Sequence, residues 1–214
     1  MSSDHLPLPP AVFDNAPLIA TWAQRIIRVH HSQFGATEFN PGRGTGGRFD
    51  PLRDRNGRIV PTLYGAGTLD GALSETIFHD VPLRGERRIA ISTLMPLQAS
   101  TLQPVRPLRL VDLRGFGLGR LGLSRRQLID SDADQYPATR AWAAVLYDRV
   151  PESDGMIWVA RHHDLSEAVI LFGTRVERTE FAVIAPPRPL APEGTIEPAV
   201  IAAASEAGIM ITVS

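Results

Sequence analysis

The chain reads as a single α+β domain with a mixed, split β-sheet flanked by helices. Three observations carry that class. Short β-branched or apolar runs, RRIAISTL at 87–94, LRLVDL at 108–113, GMIWV at 155–159 and EAVILF at 167–172, recur without the regular strand–helix alternation of a doubly wound sheet. Eighteen prolines and 18 glycines favour many short elements joined by turns over long helices. At 214 residues and 43% hydrophobic content, the chain can bury one substantial core without an external staple.

Residues 1–14 contain Pro7, Pro9 and Pro10 and read as an extended N-terminal arm. Asn15 and Pro17 then form a helix-start signal. Leu18, Ile19, Trp22, Ile26 and Ile27 follow at helical spacing, predicting a helix that runs into a strand, IIRVHH, with Arg28 and Val29 on opposite faces. From Gly42 to Asp80 come a glycine-rich turn, Arg48, a breaker-rich insertion at 53–58, a short strand ending in Tyr64, and a helix carrying Glu75. That helix shows an apolar face of Leu69, Leu73, Ile77 and Phe78.

Further along, Ser124 and Gln127 have the form of a capping box, so a short helix starts there. Tyr136-Pro137 introduces an amphipathic helix bearing Trp142, Val145 and Leu146, which must end before Pro151. Arg161-His-His-Asp164 lies in the turn between the strands at 155–159 and 167–172, where side chains can reach a pocket rim. Residues 186–198 read as a proline-rich surface connector, followed by a helix at 199–206 and a possible edge strand, IMITV. The expected organisation is therefore an arm at 1–14, a central domain at 15–185, and an extension at 186–214.

Composition excludes several functions. With 22 basic and 23 acidic residues interspersed, no global field draws the chain to nucleic acid or to an anionic membrane. The absence of cysteine removes disulfides, thiolate nucleophiles and cysteine zinc sites, and a cytoplasmic home is the simpler reading. Neither a signal peptide nor an apolar run of about 20 residues is seen. His30-His31 and His162-His163 are adjacent pairs, which point to opposite faces of a strand and make poor chelators, so no metal is expected.

Two glycine motifs have the spacing of a dinucleotide fingerprint. Gly42, Gly44 and Gly47 fit Gly-x-Gly-x-x-Gly, but Pro51 leaves no helix N-terminus to receive a pyrophosphate. Gly117, Gly119 and Gly122 lie between a strand and a short helix, which keeps a Rossmann-type oxidoreductase as an alternative. Taken singly, Glu75 reads as a solvated helix residue and Tyr64 as a packed strand end.

Together, the order RVHHSQF, GGRFDP, LYGAGTLDGALSETIFHD, LRLVDLR and a late apolar strand before ILFG resembles the RES domain family, from Arg28 to Gly173. The resemblance implies a fold related to the ADP-ribosyltransferases and the role of toxin in a bacterial toxin–antitoxin pair. It implies NAD as a substrate rather than a cofactor, cleaved at the nicotinamide–ribose bond by phosphorolysis or hydrolysis, or used for ADP-ribosyl transfer. The implied partners are NAD, inorganic phosphate and a cognate Xre-type antitoxin, with homo-oligomerisation left open. By motif, Arg28 and Arg48 would bind phosphates or the attacking anion. Tyr64 would pack on nicotinamide or ribose, and Glu75 would hold the ribose hydroxyls and stabilise the developing positive charge.

Ala160-Arg161 would complete the substrate-binding set, with Ala160 where the family usually has serine. Alanine has no hydroxyl to donate, so Ser166 or His162 would have to substitute. This departure motivates a second reading, an NAD-binding module with weakened catalysis.

Overall fold

The computed structural model describes residues 5–44 and 46–213. Among these residues twelve strands run in chain order: β1 (Ile19–Trp22), β2 (Ile26–His31), β3 (Leu52–Arg53), β4 (Ile59–Val60), β5 (Thr62–Ala66), β6 (Arg88–Ala90), β7 (Leu97–Pro104), β8 (Leu108–Asp112), β9 (Gly155–Val159), β10 (Glu167–Phe172), β11 (Phe181–Pro189) and β12 (Met210–Thr212). The α-helices are α1 (Leu69–Thr76), α2 (Ile91–Leu94), α3 (Gly115–Arg120), α4 (Arg125–Leu128), α5 (Tyr136–Arg149) and α6 (Pro198–Glu206). Eight strands form one continuous sheet in the order β1-β8-β9-β10-β5-β2-β7-β11, and β12-β6 and β3-β4 form two-stranded ribbons apart from it. Only β8 and β9 run parallel within the large sheet, so the class is α+β with a mixed sheet.

Alternation along β10 shows how the core is divided. Ala168, Ile170 and Phe172 enter one apolar cluster with Phe49, Leu73, Trp142 and Trp158, whereas Val169 and Leu171 enter a second with Trp22, Ile26, Phe39 and Leu63. Both faces of the central strands are covered, which explains the unbroken apolar run of EAVILF.

Several expectations hold in the structure. Ser124 and Gln127 make the complete capping box that starts α4, and α5 ends at Arg149, before Pro151. Other expectations fail for identifiable reasons. The helix expected from Asn15 is instead β1, whose Ile19 to Trp22 pair with Val111 to Leu108, so strand pairing overrides a spacing that only mimics a helix. RRIAISTL splits into β6 and α2. The connector expected at 186–198 begins inside β11, an edge strand paired with β7 through two register shifts. An edge tolerates Pro186, Pro187 and Pro189 because a missing N–H there breaks no inner ladder. The Gly117 turn fails as a Rossmann site because β8 lies between antiparallel β1 and parallel β9, outside any doubly wound array.

Of the arm expected at 1–14, residues 1–4 lie outside the described residues; residues 5–14 carry no helix or strand, yet they are packed. Leu6 is buried, Trp142 Nε1 donates to the Pro7 carbonyl at 2.7 Å, and Arg149 donates to the Pro10 carbonyl at 2.9 Å. No helix among the described residues is long and apolar enough to cross a membrane.

Candidate functional site

Helix α1 begins with Thr68, whose hydroxyl accepts the Gly71 N–H at 3.1 Å, a local cap supplied by the sequence itself. Gly71, Ala72, Leu73 and Ser74 are all buried, and the three small residues let the helix lie close against the sheet. The Thr68 hydroxyl also donates to Ser166 Oγ at 2.9 Å, fastening α1 to the turn between β9 and β10.

One helical turn further on, Glu75 Oε2 sits 3.1 Å from Arg48 Nη1, with the two side chains only 8% and 6% exposed. Its other oxygen, Oε1, accepts the backbone N–H of Arg161. Both carboxylate oxygens are thus engaged and the group is held in one orientation. Arg48 is fixed from behind as well, since its carbonyl accepts the Thr139 hydroxyl on α5.

Tyr64 comes from β5 and packs edge-on to Trp158, ring centroids 6.1 Å apart, while its hydroxyl donates to Asp50 Oδ1 at 3.2 Å. Burial first, then the Asp50 charge, pushes its phenol well above the ordinary tyrosine range, so it stays protonated as a donor. Arg48, Asp50, Tyr64, Glu75, His79 and Arg140, with glycines 44, 46 and 47, line one cleft of about 620 Å³. That size lies within the range of about 300–1,000 Å³ common for small-molecule sites.

Arg48, Tyr64 and Glu75 therefore share this cleft, but the other expected residues do not line it. Arg28 projects from the face of β2 opposite Val29, which does line it, and donates to the carbonyls of Gly35 at 3.2 Å and Ala36 at 2.7 Å. Burial draws the Arg28 pKa down to about 10. Arg28 borders a neighbouring cavity of about 400 Å³ that touches the cleft at Gly44. Arg161 contributes its backbone N–H, while its guanidinium turns to the Ser131 carbonyl at 3.1 Å and to Asp132 at 3.0 Å. Ala160 is fully buried in the apolar core. Ser166 is occupied beneath α1 and does not line the cleft. His162 likewise lies outside the lining, in a left-handed backbone conformation with φ 65°.

Sequence reasoning missed His79, Asp50, Thr139 and Arg140. For His79 a signal existed, because positions i and i+4 from a helix share a face and Glu75 to His79 has that spacing. Its Nε2 lies 3.1 Å from Asp80, and burial lowers its pKa against the opposing effect of the Asp80 charge, so the neutral ring is favoured at pH 7. Buried Arg48 Nε and His79 Nδ1 have no hydrogen-bond partner among the described residues, so the cleft keeps one donor, Arg48 Nε, and one acceptor, Nδ1 of the neutral ring, for a ligand or water.

The family model of the RES domain matches residues 23–192, and the chain belongs to that family. Among curated proteins none matches the chain. A chain in the crystal structure of the M. tuberculosis MbcT–MbcA toxin–antitoxin complex is similar in fold, with a TM-score of 0.58, 14% identity, and coverage of 78% of this chain and 84% of that one.

Proposed function

We propose that this chain is the toxin of a bacterial toxin–antitoxin pair and that it cleaves NAD at the nicotinamide–ribose bond. The observation that carries the reading is Glu75, a buried carboxylate held at both oxygens beside Tyr64 in a cleft of dinucleotide scale. Membership of the RES domain family supports it, as does the fold shared with a chain of a toxin–antitoxin complex.

The chemistry asks for little more than orientation and a nearby negative charge. Nicotinamide is a cationic substituent, so the C1′–N bond breaks with its electron pair returning to the ring nitrogen, and a neutral base departs. Glu75 accepts hydrogen bonds from the ribose hydroxyls and stabilises the positive charge that grows on the sugar. Arg48 and the Arg161 N–H prevent the carboxylate from swinging away. Tyr64 supplies an aromatic surface for nicotinamide or ribose. The acceptor oxygen, from water, phosphate or a protein group, then bonds to C1′, and water or a hydroxyl acceptor loses its proton as it does so.

Purified protein incubated with NAD, with and without inorganic phosphate, should release nicotinamide detectable by mass spectrometry. Dependence on phosphate would separate phosphorolysis from hydrolysis, and an ADP-ribose adduct on protein would indicate transfer. Absence of nicotinamide would refute the reading. The buried methyl of Ala160 favours one second reading, a module that binds NAD without turning it over. NAD bound yet intact after long incubation would select it.

A further inference from the structure

The charges around the cleft are unevenly committed. Asp50 accepts the Tyr64 hydroxyl at 3.2 Å and the Gly47 N–H at 2.9 Å. Glu75 holds Arg48, and Asp80 lies 3.1 Å from His79. Of the two arginines in the lining, Arg48 is therefore already neutralised. Arg140 is not: among the described residues it has no ion pair, and its hydrogen bond, from Nη1 to the Asp50 carbonyl, is long at 3.4 Å. An unneutralised, half-buried cation in a cleft attracts a strong anion more effectively than one already paired.

The glycine-rich loop is shaped around this guanidinium. A Cβ on Gly46 would lie 2.5 Å from Arg140 Nη1 and 2.9 Å from the Asp50 carbonyl, and Gly46 has φ +87°. The positive φ and the approach to the Asp50 carbonyl require glycine here, and the bare backbone that results lies against the arginine. Thr139, the preceding residue on α5, holds the Arg48 carbonyl, so one helix sets the positions of both arginines.

We infer that Arg140 is the anion anchor of the cleft and binds the diphosphate of a dinucleotide, leaving Arg48 to orient Glu75. The assignment rests on the reading of the cleft as an NAD site. It divides the cleft between a carboxylate beside the ribose that loses nicotinamide and a cation beside the diphosphate.

Calorimetric titration of the full chain with inorganic pyrophosphate, ADP-ribose and nicotinamide riboside tests it. In Arg140→Gln, affinity for pyrophosphate and ADP-ribose should fall about 10- to 100-fold, the scale of a lost charge-assisted hydrogen bond, while nicotinamide riboside is unaffected. Arg140→Lys should recover part of the loss, and the parent's salt dependence should flatten in Arg140→Gln. The melting temperature of Arg140→Gln should stay near the parent's, since the residue makes one weak contact. Parent-like affinity of Arg140→Gln for ADP-ribose would overturn the anchor while leaving the NAD reading intact. If the parent binds pyrophosphate through Arg140 but neither ADP-ribose nor nicotinamide riboside, Arg140 stands as an anion anchor, and both its dinucleotide ligand and the NAD reading fall. Binding of none of the three probes by the parent would overturn both.

Discussion

Glu75→Ala should destabilise the protein as well as silence it. The substitution removes the partner of Arg48 where both side chains are less than a tenth exposed, at 8% and 6%, and leaves the Arg161 N–H without its acceptor. Breaking a buried pair from one side costs about 3–5 kcal/mol, because the remaining charge stays out of water. For a chain of this size each kcal/mol corresponds to about 2–4 °C, so the melting temperature should drop by about 6–20 °C. Scanning calorimetry on Glu75→Ala, Arg48→Met and the double variant Arg48→Met/Glu75→Leu measures this. The double variant should lose less than the sum of the singles, since no unpaired charge is left inside. A loss below about 1 kcal/mol for Glu75→Ala would refute the argument from burial. Glu75→Gln is the better variant for turnover, because its amide oxygen can still accept a hydrogen bond while the negative charge is gone.

Three further outcomes are expected. Gly71→Ala should cost about 1–3 kcal/mol in urea unfolding, because the added Cβ would lie 2.1 Å from Ser166 Oγ; Ser166→Gly in the same chain should recover most of it. His30 lies buried against Ser100 at 2.8 Å, and burial, with the Arg28 charge, lowers its pKa to about 4. The unfolded chain therefore binds a proton that the folded one refuses, and stability present above pH of about 6.5 should fall as pH drops toward about 4. His30→Gln should flatten the melting-temperature slope between about pH 7 and 5, and an unchanged slope would remove His30 as its source. Ala160→Ser should not raise NAD turnover and should cost about 1–3 kcal/mol, since the hydroxyl enters the apolar core; faster turnover would show that it reaches the cleft.

The convergence of Arg48, Tyr64 and Glu75 was legible through their motifs taken together, and not from any one residue. Glu75 looked like a solvated helix residue because periodicity marks the apolar face of α1. The burial of Gly71, Ala72 and Ser74 on the same helix leaves little solvent around it, and small residues carry no hydrophobic signal to reveal this. Trp22 and Ile26 misled in the other direction. Their spacing suits a helix, but they belong to separate strands, β1 and β2, a fact set by pairing with β8 and β7 far along the chain. Arg28 shows what strand alternation can do. The two-residue period already placed it opposite Val29, and the side that faces the cleft was decided only by which helices cover the sheet. Thr139 and Arg140 are brought to Arg48 and Asp50 by folding over separations of 91 and 90 positions and leave no local signature.

The packed N-terminal arm bears on how the molecule comes together. Its residues His5, Pro7 and Pro10 are met by Gln127, Trp142 and Arg149, at separations of 122, 135 and 139 positions. Arg48 waits in the same way for Thr139, 91 positions later. Contacts this distant in sequence form late and carry a large loop-closure cost. During synthesis, then, His5, Pro7 and Pro10 emerge long before the residues that hold them, and no nascent fragment that ends before α5 contains both walls of the cleft.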